Sequence, residues 1–167
     1  MAAQLPRILK AFNLYHDGIS YAGRVDSYTP PTLAFATEEH RAGGMDSPVE
    51  IEMGMELMTS TLVISDYDSR LISLLGKPEV PLVARGAVQA QGGRPEPVVI
   101  NMRGMLKSAE LGEWTMGTKS TQTFTFSHTY FRYRQNEIQL VEIDTINMVR
   151  SFGEEDQLSS LRSAIGL

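Results

Sequence analysis

No cysteine occurs anywhere in the 167 residues. That excludes a disulfide framework, a thiolate metal site and redox chemistry at sulfur. Histidine is almost as scarce. His16, His40 and His128 stand far apart, none with a histidine two or four residues away, so metal-site spacing is missing. Basic residues are outnumbered, 15 Lys and Arg against 20 Asp and Glu, for a net charge of -5. A chain of that balance has no general electrostatic grip on nucleic acid. Long apolar runs are lacking as well. Nothing approaches the roughly 20 residues of a membrane-spanning helix, so no stable membrane association is expected. Residues 1–18 contain no uninterrupted apolar stretch of the kind a signal peptide needs.

What is present is strand signal. Hydrophobic content of 42% with 21% charge is that of a folded chain, and the length suits a single domain over 1–167. Residues 8–16 run into His16-Asp17-Gly18, a hairpin turn, and 19–29 return as a second strand stopped by Pro30-Pro31. Residues 33–39 and 57–65 read as further strands. A short central helix follows, capped by Asp66 with Asp68 in its first turn; Leu71, Leu74 and Leu75 share a face, and Gly76 and Pro78 end it. Residues 80–91 and 98–110 flank a hairpin signal at Gly92-Gly93-Arg94-Pro95. The clearest strand is 119–134, where Phe124, Phe126, His128 and Tyr130 alternate with Thr123, Thr125, Ser127 and Thr129 at period two. A turn at Gln135-Asn136 leads into 137–148. Residues 155–165 read as a short amphipathic helix with Leu158, Leu161 and Ile165 on one side. The expected fold is mainly β, a sandwich or barrel with a long hairpin arm and two short helices.

That arm is residues 38–56, EEHRAGGMDSPVEIEMGME. Gly43-Gly44 breaks a charged run from Val49-Glu50-Ile51-Glu52-Met53, where apolar residues alternate with carboxylates. Pro48 stands just before the strand, where a missing N–H costs least, and Gly54 is expected to end it. Met45, Met53, Met55 and Met58 supply flexible side chains suited to fitting a partner. Backbone edges, charges and methionines describe a contact surface better than an active site.

Chemical alternatives are thin. No Gly-x-Ser-x-Gly elbow occurs, and Gly92-Gly93-Arg94 lacks the Lys-Ser/Thr ending and the following helix of a phosphate loop. Glu50/Glu52 and Glu142/Asp144 each place two carboxylates on one side of a strand, which a solvated face explains as well as acid–base work does. A small barrel enzyme using Glu142 and Asp144 would need a raised carboxyl pKa in a pocket. Arg132 and Arg134 interleave with Phe131 and Tyr133, as in single-strand nucleic-acid binders, but the acidic balance opposes that reading. Trp114, between Gly112 and Gly117, could stack on a sugar or close the end of a barrel.

Three segments carry a family resemblance. Residues 140–148 read LVEIDTINM, the last seven residues read LRSAIGL, and the arm contains RAGGMDSPVEI. Together with Phe12-Asn13-Leu14 and Ser20-Tyr21-Ala22-Gly23 around the first turn, the chain resembles, over its whole length, the major tail tube proteins of contractile-tailed phages and R-type phage-tail bacteriocins. The resemblance implies a structural virion protein without catalytic, cofactor-binding or metal residues. It implies hexameric rings in which subunits join into one ring-shaped barrel; four strands from each of six subunits would make about 24, wide enough for an open channel. Stacked rings would form the inner tube of a contractile tail, a conduit for DNA ejection that pierces the cell envelope. The implied partners are other copies of the chain, the tail sheath protein, the tape-measure protein, baseplate or initiator proteins, and phage DNA passing without specific binding. Acidic lumen walls would keep that DNA from sticking. The expected location is the virion tail, made and assembled in the bacterial host cytoplasm.

The family's hairpin carries contacts between rings, a role that transfers to His40, Arg41, Gly43, Gly44, Met45, Asp46, Val49 and Ile51. The terminal segments and residues 111–117 are further contact candidates. Rival readings are the tube subunit of a DNA-free bacteriocin or type VI-like injection machine and, remotely, a carbohydrate-binding β-sandwich.

Overall fold

The computed structural model describes residues 5–167. The strands are β1 (Ile8–His16), β2 (Ile19–Ser20), β3 (Val25–Thr29), β4 (Phe35–His40), β5 (Val49–Met55) and β6 (Met58–Ile64). Helix α1 (Ser69–Ile72) precedes β7 (Val80–Gln89), β8 (Glu96–Glu110), β9 (Gln122–Gln135), β10 (Ile138–Asp144), β11 (Val149–Phe152) and β12 (Glu155–Asp156), and α2 (Ser159–Ile165) follows them. One antiparallel sheet has the order β12-β11-β10-β9-β8-β7-β1-β2, and β4 and β5 form a separate two-stranded sheet.

The large sheet forks along β9. Its first half, Gln122–His128, pairs with β6, and β6 with β3, whereas its second half, Tyr130–Gln135, pairs with β10. The long strand β8 runs beside both halves. Their register slips at Arg103/Gly104, where Thr129 is left unpaired as a bulge, and bulges bend strands. Gly104 makes the close approach possible: a Cβ there would lie 2.0 Å from the Ser127 carbonyl oxygen and 2.6 Å from the His128 Cα. The two halves close over a core of Leu62, Ile64, Phe124 and Phe126 from one side and Leu14, Leu82, Met102, Phe131 and Ile143 from the other. Tyr28 on β3 spans the gap, its hydroxyl donating to the Met102 sulfur at 2.9 Å. The fold is therefore the expected mainly β sandwich with two short helices and a hairpin arm, and among the described residues the sheet does not close into a barrel.

Several details differ from expectation. Residues 19–29 are not one strand. Tyr21 buries its ring, its N–H donates to the Leu14 carbonyl, and β3 leaves to pair with β6. Asp68, not Asp66, caps α1 by accepting from the Arg70 N–H, while Arg24 bridges the two carboxylates at 3.0 Å from Asp66 and 3.6 Å from Asp68. Only Leu71 of the expected leucine face is fully buried; Leu75 is exposed. The Thr129 bulge shifts the phase of β9, so Phe131 rather than Tyr130 continues the buried row after His128. Gly54 does not end the arm but bulges within β5 at φ +109, its N–H donating to the Glu52 side chain at 2.9 Å. The last helix starts at Ser159, because Glu155 and Asp156 pair with β11, and Leu161 and Ile165 stay exposed.

Candidate assembly interface

Among the described residues the two strands of the arm pair only with each other. Register runs from Phe35↔Met55 to His40↔Val49, and residues 41–48 close its tip. Alternation along β5 turns Glu50 and Glu52 to one side and Val49, Ile51 and Met53 to the other. Glu52 is aimed at the body of the protein, so Val49 and Ile51 point away from that contact, whereas Met53, beside the Gly54 bulge, lines the groove at the arm's root. Val49 and Ile51 are each 47% exposed. At the tip, Met45 folds back: its N–H donates to the Ala42 carbonyl at 3.2 Å, and its sulfur accepts from the Ala42 N–H at 3.3 Å. The Arg41 guanidinium donates to the Met45 carbonyl at 3.4 Å. His40, Arg41, Gly43, Gly44 and Asp46 are exposed, so the structure gathers the expected contact residues on one projection and leaves them open to solvent.

A latch that no local pattern announces fixes the arm's root. Arg150 on β11 is buried and forms a bidentate pair with Glu52, at 2.6 and 3.2 Å. Its guanidinium stacks over Phe35, 5.0 Å from the ring centroid, and Phe35 leans on Phe152 at 6.0 Å. The hydrogen bond from Arg150 holds the Glu52 carboxyl below its ordinary value. The Arg150 N–H donates to Asp156, which also pairs with Arg162 at 2.7 Å, while Arg162 donates to the Met148 carbonyl. The arm, β11 and α2 thus share one chain of charge-assisted contacts. Between them lies a groove of about 720 Å³, lined by Met53, Met55, Met58, Met148, Leu158 and Leu161.

The carboxylate pairs do not form an acid–base site. Glu142 accepts from the Tyr130 hydroxyl at 2.8 Å and from Gln139 at 2.9 Å. At Asp144, burial works to raise the pKa, but hydrogen bonds from Asn147 outweigh it and leave the carboxyl below its usual value. That is the opposite of what the enzyme reading requires. His128 and Ser60 touch at 2.6 Å, yet both are sealed in the core. His16 Nδ1 lies 2.8 Å from the Pro81 carbonyl. Trp114 meets Tyr67 edge-on at 6.3 Å on an exposed loop.

The face of the main sheet opposite the core is mixed in charge rather than plainly acidic. Register places Arg85 and Arg134 in one row, Asn101, Arg132 and Glu142 in the next, and Arg103, Tyr130 and Asp144 beyond. Arg103 stacks over Tyr130 at 4.6 Å and Arg85 over Tyr15 at 5.8 Å. Phe131 is buried while Arg132 and Arg134 occupy the other face, the ordinary outcome for an interleaved strand.

Residues 6–166 match the family model described as "Phage tail tube protein FII". The tail tube protein of Escherichia phage P2 is 31% identical over 170 residues, covering 98% of this chain and 99% of the relative. The major tail tube protein of Serratia phage KSP20 is 27% identical over 167 residues, covering 98% of each. Among solved structures, the tube-terminating cap of the anti-feeding prophage superposes with a TM-score of 0.62 at 13% identity, covering 80% of this chain and 94% of that one. The sheath–tube complex of an extracellular contractile injection system gives 0.58 at 12% identity, over 77% and 91%.

Proposed function

The chain belongs to the phage tail tube protein FII family, and from that premise we propose that its arm joins stacked hexameric rings into the inner tube of a contractile tail. It is a tail tube subunit, and its family is structural. The observation that carries the assembly reading is the unpartnered arm: a two-stranded sheet that joins no other strand among the described residues and leaves Val49 and Ile51 47% exposed on one side. Exposed apolar rows on a paired projection mark a protein contact. His40, Arg41, Gly43, Gly44, Met45, Asp46, Val49 and Ile51 are proposed as the ring-to-ring contact, and residues 111–117 and the terminal segments as secondary ones; of the latter, residues 1–4 lie outside the described residues. In this reading the tube carries DNA without base-specific contacts, is wrapped by a sheath protein, encloses a tape-measure protein and starts on a baseplate surface. It assembles in the host cytoplasm, within one tube domain over 1–167, and has no enzymatic activity. The likeness to tube components of contractile injection systems supports a DNA-free machine as the second reading.

Negative-stain microscopy with sedimentation velocity tests the proposal. Rings or tubes are expected at raised protein concentration. Deleting 41–47 should preserve the circular dichroism spectrum and abolish long tubes. Discrete monomers from the intact chain under all conditions, or normal polymers from the deleted one, would refute it.

A further inference from the structure

The main sheet is covered on its inner face over only part of its length. The row Leu14, Ala84, Ile100, Tyr133 and Val141 lies in or against the core. The next row toward the sheet's end is Phe12, Gly86, Val98, Gln135 and Ile138, and beyond it come Leu9 and Val88. These positions share the inner face by strand alternation. Leu9 confirms the orientation, since its Cδ1 lies 2.8 Å from where a Gly86 Cβ would stand. Here the layer that covers the core has run out: Leu9, Phe12 and Ile138 are between 39% and 65% exposed. An apolar strip therefore crosses the sheet, continuing the core beyond its lid.

We infer that this strip, Leu9, Phe12, Val98 and Ile138, is the seat for the Val49–Ile51 side of the arm of a second copy. The inference rests on the tube reading and names the partner of the arm. Each surface presents an apolar row on β structure, on the arm Val49 and Ile51 beside His40 and Glu38 of the paired strand, and two such faces pack at about 10 Å with side chains interdigitated. Leu9 already leans over Gly86, so the strip is a continuous shallow apolar surface against which an isoleucine can lie flat. The charges around them are complementary. On the Ile51 side of the arm Glu38 is free to meet Lys10 and Arg94 at the rim of the strip, where Arg7 is already paired with Glu96. Because the arm and its seat are different parts of one chain, each subunit offers both, and the contact propagates head to tail. A heterologous contact of this kind makes rings or open filaments rather than closed dimers.

The lack of native cysteine makes the test clean. Ile51→Cys and Ile138→Cys proteins are mixed under assembly conditions and treated with a short bismaleimide. A cross-linked dimer is expected in the mixture and in neither protein alone, and the Ile51→Cys/Ile138→Cys chain should give a ladder of higher species. Ile138→Asp, at an exposed site that tolerates charge, should fold normally and lower polymer yield at least tenfold. Polymers visible by microscopy without this cross-link, or undiminished by Ile138→Asp, would overturn the seat while leaving the tube reading intact. Absence of any polymer from the unmodified chain would overturn both.

Discussion

His128 is a neutral histidine placed where charging it is costly. Its Nε2 lies 2.6 Å from the Ser60 hydroxyl, its Nδ1 has no hydrogen-bond partner, and Phe126 stacks beside it. Burial lowers its pKa from 6.5 to about 4. In the unfolded chain the ring takes a proton near 6.5, while the folded state resists down to about 4, so the stabilising effect is complete above 6.5 and fades as pH falls through that window. A shift of that size corresponds to about 3 kcal/mol. His128→Gln keeps a polar group opposite Ser60 and cannot titrate. Denaturant unfolding from pH 7 to pH 4 should show the native chain losing about 3 kcal/mol relative to this variant. Parallel curves would mean that the buried imidazole does not set the acid sensitivity.

At the scale of elements, the arm's direction depends on one buried cation. Arg150 supports Glu52 and Phe35 at the root, where β5 is already kinked by the Gly54 bulge. Arg150→Met fills similar volume, removes the bidentate pair and returns Glu52 to solvent. Amide exchange in β4 and β5 is expected to quicken at least tenfold, with little change in β8 and β9. Equal protection in both proteins would show that the strand pair holds itself in place. This latch also marks the boundary of what the sequence discloses. Period-two alternation and turn residues identify β1, β7, β8, β9 and the arm, because those signals are local. The Glu52–Arg150 pair joins residues 98 apart, and nothing in either neighbourhood points to the other. Asp66 and Asp68 are equally good caps in the sequence, and only the fold shows Asp68 taking the Arg70 N–H while Arg24, from the turn before β3, lies against both carboxylates. The phase slip at Thr129 follows from how β8 passes β9, so Tyr130 reads as core in isolation and Phe131 proves to be core in the fold. The hairpin that carries the proposed contact residues was legible because a glycine break between charged and alternating runs marks a turn at its tip. The seat proposed for them was not, since its residues come from three strands, β1, β8 and β10.

For the whole molecule, the exposed apolar rows on the arm and on the sheet imply that folding stability and assembly are linked. Residues such as Ile51 and Ile138 leave water only when a second copy arrives, and a partner that binds the folded state alone adds stability by mass action. In the assembling regime each tenfold rise in concentration adds about 1.4 kcal/mol for every contact formed. For a chain of this length that is a rise in Tm of roughly 3–6 °C per decade. A chain lacking 41–47 keeps the core and the latch but loses the tip of the arm. Its Tm should equal that of the intact protein at low concentration and stay flat as concentration rises. Calorimetry across two decades separates the alternatives. If both proteins rise together, the stabilising contact lies along lateral sheet edges such as the outer side of β1, and the arm merely decorates the ring. If only the intact chain rises, the arm couples one ring to the next, and the projection from Phe35 to Met55 completes its packing only in the polymer.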